Sequence, residues 1–207
     1  MSQNFLTADE LALIEKVKNE FTSDPKRATL IWSEDRIKGV KRKIKSKLME
    51  NRGATCCYCM ANLHGESLDV DVEHVLPKTG DFESEMFIMT NLSISCKRCN
   101  MEMKGEDVDF YLDDKTKDYY RSEKYLFIHP NLDEYENHLD YVAISKNRIR
   151  IVKYRVVNNS EKGRYTYTYF ELDKLEIDQL DKSQGVVSQR ISNSELHLKV
   201  SELLENL

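Results

Sequence analysis

Apolar residues recur at helical spacing through the first quarter of the chain, alternate with polar ones through much of its middle, and return to helical spacing at the end. Leu11, Ile14, Val17 and Phe21 lie three or four apart, the period of an amphipathic helix. Thr7-Ala-Asp-Glu10 ahead of them is a capping-box pattern, and Asp24-Pro25 ends or interrupts the helix. A second stripe of Ile31, Ile37, Val40, Ile44 and Leu48 predicts helix within 26–52, with Asn51-Arg52-Gly53 as the turn that follows. LDVDVEH (68–74) alternates and predicts a strand with Asp69, Asp71 and Glu73 on one face and Leu68, Val70 and Val72 on the other. His74 lies at its end, and Pro77 opens a loop through Gly80. Asn91–Cys96 reads as a second short strand. A helix is expected from Arg98 to near Lys104, with Asn100 and Lys104 on one face.

Past Gly105, YLFIHPNLDEYENHLDYVAI predicts a helix or loop and then a strand ending near Ile144. RIRIVKYRVV and RYTYTYFEL both alternate, like paired strands joined by the loop Asn158–Gly163. Val187, Ile191, Leu196, Leu198, Val200, Leu203 and Leu204 form the apolar face of a last helix. The expected fold class is α+β. An N-terminal helical region (1–53) precedes a strand-loop-strand-helix core (54–112), and a C-terminal α+β region (113–207) carries an antiparallel strand pair plus a helix.

Composition narrows the setting. A chain of 207 residues holds one good core, or a small core with an appended subdomain. No apolar run reaches the roughly 20 residues of a membrane span, and MSQNFLTADE lacks the pattern of a signal peptide, so a cytoplasmic protein with no membrane contact is expected. The five cysteines should be reduced there, which favours metal binding over disulfides. The net charge of −5 argues against indiscriminate nucleic-acid binding, but it is uneven: residues 1–53 carry +4 and the remainder −9. Arg36, Lys38, Lys41, Arg42, Lys43, Lys45 and Lys47 crowd the polar sides of the second helical stripe. Such a face is either solvated or turned toward phosphates, and its place just before a cysteine-rich stretch favours the second.

That stretch carries the candidate chemistry. Cys56-x-x-Cys59 and Cys96-x-x-Cys99 have the spacing of one tetrahedral zinc with four thiolates, a closed and therefore structural site. Its binding would supply on the order of 10 kcal/mol of folding free energy. Cys57 reads as a small packed side chain. Between and just after the knuckles stand Glu73, His74, Asn91 and Asn100. Glu73 and the amide oxygen of Asn100 would suit a hard cation such as Mg²⁺, and a neutral His74 could take a proton from water near pH 7. Nothing resembles a phosphate-cradling glycine loop or a Ser-His-Asp set, so nucleotide hydrolysis and acyl transfer have no support. His64, His129, His138 and the tyrosines read as structural.

The blocks Cys56-x-x-Cys59, Glu73-His74-x-x-Pro77-Lys78, Asn91-Leu92 and Cys96-x-x-Cys99-Asn100 with Lys104 resemble the HNH (ββα-metal) endonuclease family, in its variety with a zinc-binding knuckle at each end. The resemblance covers a quarter of the chain. It implies that His74 is the general base, that Asn91 orients the loop between the strands, and that Glu73 and Asn100 hold a catalytic Mg²⁺ or Mn²⁺ beside the structural Zn²⁺. Lys41, Arg42, Lys45, Lys78 and Lys104 are then the candidate nucleic-acid contacts, with DNA the expected substrate and RNA the other polymer that fits. Two positions depart from the family pattern. Asn100 stands where histidine is frequent, and Glu73 where aspartate is common. The basic helix before the knuckle, and His129-Pro130 with its acidic sequel, are similar to HNH proteins of bacterial anti-phage systems such as Septu and some retrons, which work with an ATPase partner. Two other readings stay open: a catalytically silent zinc module that binds nucleic acid or a partner, and an effector active only with its partner.

Overall fold

The computed structural model describes residues 5–63, 70–112, 116–146 and 149–178. The predicted C-terminal helix, His64, and the first two positions of the 68–74 strand lie outside them. The described residues form a mixed helix and strand structure with two small antiparallel sheets. None of their helices is long and apolar enough to cross a membrane. The chain divides into two compact units, Met1–Tyr141 with Tyr154–Lys174, and Val142–Lys153 with Leu175–Leu207.

In the first unit, α1 (Ala8–Glu20) starts on the capping box: Glu10 N donates to Thr7 Oγ1 and Thr7 N to Glu10 Oε2. Ile14 and Val17 are buried, whereas Leu11 stays exposed. A short α2 (Arg27–Ser33) leads to α3 (Lys38–Arg52). Val40, Ile44 and Leu48 bury one stripe of α3, which packs on the strand β2 (Leu92–Cys96). Gly53 caps α3 in the left-handed region at φ 58°, which glycine enters without steric cost. β1 (Val70–His74) and β2 pair antiparallel, with His74 opposite Leu92, Glu73 opposite Ser93 and Asp71 opposite Ser95. The chain then makes a wide helical turn, Arg98–Lys104, closed by Gly105 N donating to Asn100 O five residues back. Such widened turns are rare and frequent at functional sites. Arg98 ties the turn down by donating to the carbonyls of Phe170 and Glu171.

One predicted strand is a helix. The first six residues of RYTYTYFEL, 164–169, belong to α4 (Glu161–Tyr169), so the C-terminal strand pair is instead β3 (Leu139–Lys146) with β4 (Ile149–Val156). Asn158 and Asn159, both left-handed, turn the chain, and Ser160 Oγ caps α4 by accepting from Gly163 N at 3.0 Å. The face of α4 that is buried consists of Gly163 and Thr166, followed by Phe170. Two of these are not large apolar residues, so the helical period is silent in hydrophobicity while the tyrosines display a false alternation. Gly163 lies so near His138 that an added Cβ would stand 2.3 Å from its carbonyl oxygen. In the second unit, β4 pairs antiparallel with β5 (Ile177–Asp178) through Ile151 opposite Asp178.

Candidate active site and metal centre

The cysteine knuckle is built by backbone geometry. Met60, left-handed at φ 57°, lets Met60 N donate back to Cys56 O and Cys56 N to Ala61 O. Cys57 N donates to Ile94 O, which fastens the knuckle to β2. Cys96 ends β2 and Cys99 opens the wide turn. The Sγ atoms of Cys56, Cys59, Cys96 and Cys99 consequently all lie within 4.8 Å of one another. Hydrogen bonding from Cys56, Cys59 and Cys99 drives the Cys96 thiol far below its ordinary range. Four thiols this close fit a tetrahedral Zn²⁺, and no further group is needed to complete its coordination. Cys57 stays outside the cluster, buried, with its thiol pushed up chiefly by desolvation. The hydroxyls of Tyr135 and Tyr154 donate to the carbonyls of Tyr58 and Cys59, bracing the knuckle from behind.

Beside this centre lies an open cavity of about 600 Å³. Its walls include Asp71, His74, Asn100 and Lys104 from the strand-loop-strand-turn core, and Trp32, Lys38, Lys41, Arg42, Lys45 and Lys78 around them. His74 is only 7% exposed. Its Nε2 stands 3.1 Å from Met86 O, and its ring meets Trp32 edge-on, centroids 4.4 Å apart. A carbonyl can only accept, so Nε2 carries the proton and the unprotonated nitrogen is Nδ1. Burial, with the nearby Lys78 charge, pushes the His74 pKa down to about 3, so the ring is neutral at physiological pH.

Asn91, 4% exposed, closes the loop that follows His74. Its Oδ1 accepts from Leu76 N at 2.8 Å, and its Nδ2 donates to Leu76 O at 3.0 Å and Glu85 O at 3.2 Å. Asn131 supports it from outside, its Nδ2 donating to Thr90 O and Leu92 O, each at 2.8 Å.

Glu73 does not open on the cavity. It is fully buried, with Oε1 accepting from Tyr58 Oη at 3.0 Å and paired to Lys104 Nζ at 3.2 Å, and Oε2 accepting from Ser95 Oγ at 3.5 Å. Burial raises its carboxyl above the usual range, against the lowering effect of Lys104, Tyr58 and Ser95. In this arrangement Glu73 does not fit as a ligand to a second cation, because its oxygens are committed and an ammonium occupies its front. Asn100 Nδ2 donates instead to Asp71 Oδ2 at 3.1 Å. The structure thus brings His74, Asn100 and Asp71 to one cavity and leaves Glu73 behind its wall.

The basic candidates separate in the same way. Lys41 donates to Trp32 O and Lys45 to Val70 O, both at 2.6 Å, and Lys104 is buried on Glu73. Arg42 and Lys38 are exposed at the rim and Lys78 is half-buried there. Sequence reasoning passed over Asp71, Trp32 and Asn131 as site residues. The first shares the alternation face of Glu73, and the second is the single tryptophan of the chain. Nothing in the sequence marks the third beyond its place after His129-Pro130. His129 is buried, accepts from Asn131 N at Nδ1 and packs edge-on against Tyr125. His138 Nδ1 lies 2.7 Å from Ser160 Oγ.

No protein-family model matches the chain, and no solved structure matches it significantly. It is similar to a Septu protein PtuB from Bacillus thuringiensis, 30% identical over 139 residues, which are 67% of this chain and 42% of the relative. The chain therefore spans less than half the length of the relative it matches.

Proposed function

We infer that the chain is an HNH-type, metal-dependent endonuclease that hydrolyses phosphodiester bonds in DNA and acts as an effector in bacterial anti-phage defence. The observation that carries this reading is the cavity itself: a neutral imidazole, a carboxylate and a carboxamide in one basic recess, beside a four-cysteine cluster that can bind zinc. A purely structural zinc module has no need of that recess. The similarity to a Septu protein supports the defence role and, with it, a protein partner such as the ATPase expected of these systems.

The chemistry follows from the placement of groups. Arg42, Lys38 and Lys78 at the rim attract the phosphate backbone and set it against the cavity. His74 Nδ1 takes the proton of the attacking water, while the Met86 carbonyl fixes the tautomer and ring plane. Asn91 holds Leu76 and Glu85 and so keeps the loop after His74 in register with it. A divalent cation, when bound, would polarise the phosphate and stabilise the leaving oxygen. Lys104 is not a phosphate contact in this reading, because its charge is spent on Glu73.

The test is nicking of supercoiled plasmid by the zinc-loaded chain, with Mg²⁺ or Mn²⁺ and without added cation, and alongside it cleavage of single-stranded DNA and RNA. The expected result is cation-dependent cutting of DNA. Binding without cutting, alone and with the partner present, would favour the silent zinc module.

A further inference from the structure

Two acidic residues lie on one face of β1, and one of them reaches the cavity. Asp71 is half-buried and lines it; Glu73 is fully buried. A cation on Glu73 would face the Lys104 ammonium 3.2 Å from Oε1. Lys104 is itself only 3% exposed and cannot retreat into water. Two like charges that close in a dry site repel strongly. Expelling Lys104 would leave a buried charge without its partner, which is costly. Asp71 has no such commitment. Its Oδ2 accepts from Asn100 Nδ2 at 3.1 Å, and neither Asp71 Oδ1 nor Asn100 Oδ1 has a hydrogen bond to any described residue.

Building on the nuclease reading, we propose that the oxygen ligands for a hard divalent cation are Asp71 and Asn100, and that Glu73 is the buried counter-ion that locks Lys104 and the turn Arg98–Lys104 onto β1. One carboxylate and one amide oxygen are a ligand set that Mg²⁺ or Mn²⁺ accepts, completing its shell with water and substrate phosphate. The hydrogen bond from Asn100 Nδ2 to Asp71 holds the two side chains together and leaves the amide oxygen for the cation. Glu73, Tyr58, Ser95 and Lys104 instead satisfy one another inside the fold.

Binding of Mn²⁺ to the zinc-loaded full chain, followed by the electron paramagnetic resonance signal of the free ion, tests this without reference to cleavage. Asp71→Asn and Asn100→Ala should each weaken Mn²⁺ by at least the roughly 10-fold that losing even an outer-shell partner costs a metal site. The double variant Glu73→Gln/Lys104→Met removes both buried charges together, so neither is stranded, and should bind Mn²⁺ like the wild type. Loss of Mn²⁺ from a folded double variant, or retention by Asp71→Asn, overturns the assignment. If the double variant does not fold, Asp71→Asn decides alone. A chain that binds Mn²⁺ through Asp71 yet cuts nothing upholds this site while removing the nuclease reading.

Discussion

A carbonyl oxygen decides the chemistry open to His74. Met86 O can only accept a hydrogen bond, so in the neutral ring Nδ1 is the nitrogen left to take a proton, the role proposed for it. Hydrogen-bond commitments also sort the lysines, which charge alone could not. Arg42→Ala and Lys78→Ala should each weaken DNA binding and reduce the salt dependence of that binding by about one counterion, read from binding isotherms at several salt concentrations. Lys45→Ala should leave the salt slope unchanged and lower the melting temperature, because its ammonium serves Val70 O. His129 offers a separate check. Burial pushes its pKa down to about 3, below the ordinary value near 6.5. Between those values the unfolded chain binds a proton that the folded chain refuses, so stability is complete above about pH 6.5 and falls as the pH drops, by about 1.4 kcal/mol per unit. Asp133 acts with the same sign at lower pH: burial alone would raise its carboxyl, but Lys162 and Ser122 hold it below its usual range. Urea unfolding from pH 7 to pH 5 should show the decline, and His129→Gln should make it shallower.

Elements were legible where one signal dominated and obscure where two competed. The stripe Val40, Ile44, Leu48 predicts α3 because large apolar residues mark its buried side; alternation alone predicts β1, whose buried residues are Val70, Glu73 and His74 while Val72 is half-buried. The strand expected over 164–172 fails because α4 buries Gly163 and Thr166, whose value is smallness and a hydroxyl. Thr166 Oγ1 accepts from Ile128 N at 2.9 Å, a contact no periodicity announces. The candidate site divides similarly. His74, Asn91 and Asn100 are readable as a motif. The division of work between Asp71 and Glu73 is not, since both lie on one face and only the position of Lys104 separates them. Gly163→Ala tests the helix assignment directly. At the end of an exposed connecting loop, where the strand reading puts Gly163, the added methyl would be tolerated. In α4 it meets the His138 carbonyl and should cost about 1–3 kcal/mol, measured by denaturant unfolding.

For the whole molecule, the four cysteines join segments far apart in sequence: the knuckle before β1, the end of β2 and the wide turn that carries Asn100. Zinc would hold the site together without entering its chemistry. Removing zinc with a strong chelator, or replacing Cys99 with Ser, should therefore unfold the core, on the scale of the roughly 10 kcal/mol such a site contributes. The loss should appear in far-ultraviolet circular dichroism and stoichiometrically in released zinc. Activity would disappear with the fold, whereas a change at His74 should remove activity and leave the fold standing. The basic cavity is proposed as a nuclease site with His74 as its base. Its most direct test is the rate of DNA cleavage by the zinc-loaded His74→Ala protein against wild type, at one Mg²⁺ concentration and with matched circular dichroism. Cleavage by the wild type and none detectable by the variant is the expected result; equal rates would remove His74 as the base.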